Sequence, residues 1–156
     1  LAAQFESEKV ITAGMATSYD GYYLVDRMRK VLAANEARIA GKPNAPEVTA
    51  AIGTLSRQLS QLADGEFGFA NRDLTRHLED ADFGDLLPTD SDLGAVHANC
   101  QQIDAALTEL HRLNTTTIPQ LNTVLEHAQL TALPLGEAPS APSCGVTHDA
   151  VARAGR

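Results

Sequence analysis

Val96, Cys100, Ile103, Leu107 and Leu110 follow one another at steps of four, three, four and three residues, so they fall along one stripe of an α-helix. Val48, Ile52, Leu55, Leu59 and Leu62 repeat the same rhythm. Each stripe needs an apolar partner, and two of them in one chain of 156 residues point to helices packed on helices. The chain has no Trp and only 4% aromatic residues, a supply that favours aliphatic helix packing over a β-sandwich. The expected class is therefore all-α.

In chain order, residues 1–40 read as one long helix. Val25, Met28, Leu32 and Ile39 keep its apolar register while Asp26, Arg27, Arg29, Lys30 and Arg38 take the wet face. Its first half is weaker, because Gly14 and Gly21 each cost about 1 kcal/mol relative to Ala in a helix interior. A kink or a close helix crossing is expected there. Gly41, Pro43 and Pro46 stop this helix, and the second is expected from about Pro46 to Ala63. Asp64, Gly65 and Gly68 read as its end, with Asn71 as the start signal of a third, short helix that carries Leu74, Leu78 and Ala81 inward.

Gly84 and Pro88 break that third segment, and Thr89, Asp90, Ser91 and Asp92 offer good caps for a fourth helix. Thr115, Thr116, Thr117 and Pro119 then predict a bend or restart, since proline removes one backbone donor and clashes one turn back. The expectation is an up-down-up-down four-helix bundle over residues 1–133 with a kinked last helix. From Pro134 the composition turns to Pro, Ala, Gly and Ser, so residues 134–156 read as an extended tail. Cys144, a groove on the bundle or a neighbouring molecule would be needed to hold it.

Two cysteines permit one disulfide. A Cys100–Cys144 bond would close a loop of about 45 residues and contribute about 3–4 kcal/mol. A buried Cys100 thiol with an exposed Cys144 thiol is the other reading, because Cys100 lies on the inward stripe.

The formal charge of −8 repels phosphates, and no Lys/Arg run offsets it locally, so nucleic acid is excluded as a partner. No apolar run approaches the roughly 20 residues that a membrane span requires. The acidic stretch Glu79, Asp80, Asp82, Asp85, Asp90, Asp92 lacks the order of a Ca²⁺-binding EF-hand loop and reads as a solvated turn with helix caps. His97 and Cys100 are half a zinc site at most, and His111 is about 16 Å from Cys100 along a helix, too far to share a metal. No catalytic, cofactor or metal residue is assigned. Tyr19, Tyr22 and Tyr23 stand out instead as a broad candidate contact surface.

The segments LAAQF (1–5), SYDGYYLVDRMRKVL (18–32), GFANRDLTRHL (68–78) and IPQLNTVLEHAQL (118–130) resemble the helical region that closes large secreted bacterial proteins with BNR or sortilin/VPS10-like β-propeller repeats, often labelled glycosyl-hydrolase-like. The resemblance implies a non-enzymatic packing or assembly module, secreted or periplasmic, whose partner is the β-propeller of the parent protein or further copies of itself. The alternative it implies is an accessory domain that shapes a glycosidase site whose acids lie outside this chain. No catalytic residue transfers, because the nearest match to an Asp-box, Ser18-Asp20-Gly21, lacks the spacing and the Trp.

Overall fold

The computed structural model describes residues 2–82 and 89–143, all of whose regular structure is helical. Helix α1 spans Ala2–Ile39, α2 Ala45–Ser60, α3 Gly68–Asp82, α4 Asp90–Arg112 and α5 Ile118–His127. Two π-helical segments, Gln61–Phe67 and Leu113–Thr117, join α2 to α3 and α4 to α5 without a break. The described residues thus form three rods, 2–39, 45–82 and 90–127, each of 38 residues and about 57 Å long. The turn expected at Asp64–Gly68 and the restart expected at Pro119 are both continuous helix. The four-helix count therefore gives way to three long helices.

The reason is visible in the apolar spacing. The buried stripe of the second rod runs Ile52, Leu55, Leu59, then Leu62 and Ala63 side by side, then Phe67, Ala70, Leu74, so that Phe67 follows Leu62 by five residues and Ala63 by four. In the third rod the stripe runs Ile103, Leu107, Leu110, Leu113, then Ile118, Leu121, Leu125, with a five-residue step from Leu113 to Ile118. A step of five would rotate the stripe away from the core on an α-helix. A π turn inserts one residue and restores it. Both turns close with i→i+5 bonds, Gly68 N–H to the Ala63 carbonyl and Ile118 N–H to the Leu113 carbonyl.

Threonines in the second π segment bond back to the preceding turn. Thr115 donates its hydroxyl to the His111 carbonyl at 2.9 Å, and the Thr116 hydroxyl bonds the Arg112 carbonyl.

The rods run up, down and up around one core whose largest fully buried side chains include Phe67, Met28, Leu32, Leu59, Ile103 and Leu110. The first half of α1 packs by close approach and does not need bulk. Gly14 and Gly21 are buried there, and a Cβ on Gly21 would meet two Phe67 ring carbons at 2.7 Å. Between these glycines, Ser18 is fully buried and donates to the Met15 carbonyl at 2.9 Å. Asn71 Nδ2 donates to the Ser18 hydroxyl at 2.9 Å and to the Met15 carbonyl at 3.0 Å. Asn71 is accordingly a bridge in mid-helix, not a helix start. A satisfied polar contact at a glycine crossing fixes the axial register of α3 on α1 more sharply than aliphatic packing alone.

Further along, Asn99 Nδ2 donates to Asp73 Oδ2 at 2.8 Å and Gln102 Nε2 to Glu66 Oε2 at 3.0 Å, tying the second rod to the third. Helix α4 begins with a complete capping box: Asp92 N–H donates to Thr89 Oγ1 at 3.3 Å, and Asp92 Oδ2 accepts from Thr89 N–H at 2.9 Å. The Thr89 hydroxyl also donates to Asp92 Oδ2 at 2.6 Å. These side-chain and backbone donors hold the Asp92 carboxyl below its ordinary pKa. The group favours the folded cap when ionised, so its contribution is complete above the ordinary carboxylate range and lost as pH falls through the lowered value. Protection of the amides in the first turn of α4, taken relative to the intrinsic exchange rate at each pH, is expected to fall on acidification before that of the rest of α4. Thr89→Ala should remove that pH dependence.

Candidate functional site: an aromatic ridge and a strapped groove

Tyr19 and Tyr23 lie one turn apart on α1, 55% and 50% exposed, with ring centroids 4.8 Å apart at an interplanar angle of 50°. Hydrogen bonding to Tyr23 and the charge that ring would carry hold the Tyr19 hydroxyl above its ordinary pKa. Tyr22 faces the other way, half-buried against the core. Of the three tyrosines singled out in the sequence, two form the exposed pair and one supports it. Phe5, on the same helix, is 57% exposed beneath the Lys9 ammonium at 4.8 Å.

The ridge stands between two crevices. One, of about 280 Å³, is lined by Tyr19, Tyr22, Asp64, Phe67 and Arg72 among others. The other, of about 390 Å³, is lined by Asp20, Tyr23, Leu24, Arg27, Glu137 and Pro139. Apolar rings flanked by charged walls make a surface suited to a protein partner, with aromatic anchors at the centre and polar groups at the rim.

Glu137 and Pro139 belong to the chain after α5, which is seated on the bundle. Helix α5 ends in a Schellman arrangement: Leu130 N–H donates to the Leu125 carbonyl at 2.8 Å and Gln129 N–H to the Glu126 carbonyl at 2.9 Å. Gln129 takes the left-handed conformation, φ 57°. From Leu130 the chain runs back along the bundle as a strap without regular structure, and Leu130 and Leu133 are buried.

Asparagine side chains read its backbone. Fully buried Asn35 donates to the Thr131 carbonyl at 2.7 Å and accepts from Thr131 N–H at 3.0 Å. Asn122 does the same two residues on, donating to the Leu133 carbonyl at 3.1 Å and accepting from Leu133 N–H at 2.7 Å. Asn114 donates to the Gly136 carbonyl at 3.2 Å. The Asn35 and Asn122 carboxamides each mimic one rung of a β-ladder, whereas the buried Asn114 Oδ1 has no hydrogen-bond partner among the described residues.

Arg38 adds bonds to the Thr131 hydroxyl at 3.0 Å and the Gln129 carbonyl at 3.3 Å. At Gly136 the strap comes so close to Leu24 that a Cβ would lie 2.3 Å from a Leu24 methyl. The groove is thus one of the holders that the tail composition calls for. The clamping asparagines carry no periodic signal, and only their positions beside a buried face distinguish them from surface polar residues.

Cys100 is fully buried on the inner face of α4, and the candidate Cys100–Cys144 pairing lies outside the described residues, as does Asp85 of the acidic stretch. Among the described residues, no group of three or more His, Cys, Asp or Glu is placed to hold a metal ion, and no helix is long and apolar enough to cross a membrane. The described carboxylates with displaced pKa values, Asp92 and Glu109, are both lowered, the latter by bonds from the Arg112 guanidinium. A third crevice, about 310 Å³ between the second and third rods, is lined by Gln58, Gln61, Glu66, Ala105 and Glu109 among others. No family model, curated protein or solved structure matches the chain.

Proposed function

We propose that this chain is a non-catalytic helical module that works by protein–protein packing through the Tyr19–Tyr23 ridge. The observation that carries this reading is the ridge itself. Two half-exposed rings stack on a helix whose opposite face is fully buried, between crevices lined with charge. Rings of this kind bring large apolar area at low side-chain entropy cost, which is why Tyr is enriched at the centre of interfaces. The partner proposed is the β-propeller of a secreted or periplasmic parent protein, as the sequence resemblance implies, and the mechanism is burial, with no reaction on this chain.

The test is covalent footprinting of Tyr19 and Tyr23 in the isolated chain and in the parent protein. Labelling of both is expected to fall at least about fivefold in the parent while labelling of the half-buried Tyr22 changes less. Equal labelling of Tyr19 and Tyr23 in the two contexts would refute the reading. In addition, Tyr19→Ser with Tyr23→Ser should weaken the docked state by about 2 kcal/mol or more while leaving the helical content of the chain unchanged.

A further inference from the structure

The strap and its groove are a self-complementary pair. The groove reads main chain through Asn35, Asn122 and Asn114, buries the leucine side chains at 130 and 133, and makes lesser side-chain contacts with Thr131 and Ala138. Those contacts contain nothing that requires the strap to come from the same molecule. What directs it home is the hinge, and the hinge rests on a residue poorly suited to it. The reversal needs a left-handed residue at position 129, where glycine is favoured, and this chain has glutamine at φ 57°. Letting the helix run on through 128–130 would relieve that conformation and carry the strap away from its own bundle.

We propose that residues 130–138 exchange between two copies of this chain, each strap seated on Asn35, Asn114 and Asn122 of the other. The product is a two-fold symmetric dimer in which every strap contact is kept and only the hinge is remade. Each copy carries a formal charge of −8, so exchange is expected to be favoured by high protein concentration and by salt, which screens the repulsion. The clamps lie on residues other than the tyrosine ridge, and the strap meets the ridge only where Glu137 lines the crevice beside Tyr23.

The test uses the full chain and two opposite hinge variants, measured by light scattering across a concentration series. Gln129→Gly suits the left-handed conformation and is expected to weaken dimerisation about tenfold. Gln129→Val disfavours the left-handed conformation, which a β-branched side chain resists more than glutamine does, while still allowing the helix to run on, so it is expected to populate the dimer. A mixing experiment then identifies the exchanged element. One chain carries Asn35→Ala with Asn122→Ala, leaving its strap intact but its groove defective. The other carries Leu133→Asp, leaving its groove intact.

Neither chain alone should dimerise. Mixed, they should form a 1:1 species at twice the 16.6 kDa of one chain. If the groove variant loses its helical circular dichroism, the two hinge variants still decide the matter. The proposal is overturned if Gln129→Val remains monomeric throughout the series. It is also overturned if folded partners fail to form the mixed dimer, or if dimerisation is abolished by Tyr19→Ser with Tyr23→Ser and insensitive to the hinge.

Discussion

Replacing Phe67 with alanine is expected to lower the unfolding free energy by about 3–5 kcal/mol and the melting temperature by about 10 °C or more. Phe67 is fully buried and is the first inward residue after Leu62 and Ala63, so it joins the π turn of the second rod to the glycine crossing on α1. Its ring occupies the space that any larger residue at position 21 would need. Gly21→Ala in the native background sets a new Cβ at 2.7 Å from the ring and is expected to cost about 1–2 kcal/mol, overpacking outweighing the gain in helix propensity.

In the Phe67→Ala background the obstacle is gone, and the same substitution is expected to stabilise by about 1 kcal/mol, leaving only the propensity gain. Chemical denaturation of the four-member cycle measures this reversal of sign. A penalty for Gly21→Ala that is the same in both backgrounds would mean the ring does not set the crossing distance.

Asn35→Ala is expected to cost about 2–4 kcal/mol, because it strips the partners from both the N–H and the C=O of Thr131 beside a fully buried site. The loss should be local. Cleavage of the strap by a non-specific protease is expected to rise by about 30-fold or more while the helical circular dichroism of the bundle is retained. Asn122→Ala should act in the same direction at Leu133, and the double variant should exceed either single one. Unchanged strap cleavage in Asn35→Ala would show that Leu130 and Leu133 hold the segment without the clamps.

The helical class and most rod boundaries could be read from apolar spacing and breakers. The first rod ends at Ile39 before Gly41, and the third begins after Thr89 with the box formed by Thr89 and Asp92. The count of helices could not be read from propensity, because Asp64, Gly65 and Gly68 look like a stop. In the third rod the signal is the interval and not the composition: one five-residue step, Leu113 to Ile118, on each side of which the four-three rhythm resumes. At the candidate surface, Tyr19 and Tyr23 were visible as large apolar side chains on a weak helical stretch, whereas the inward turn of Tyr22 depends on the position of the core. The asparagine clamps were illegible for a stricter reason. A carboxamide that reads main chain leaves no pattern in the sequence it reads.

The direction of the strap gives the bundle a mechanical polarity. A load drawn along the strap, away from Gln129, strains the clamps at Thr131, Leu133 and Gly136 in shear and shares the force among them. A load drawn outward from the surface meets Gly136 first, then Leu133, then Thr131, and peels them one at a time at much lower force. A chain tethered through its C-terminal side would therefore resist tension along its own length and yield readily to tension normal to it.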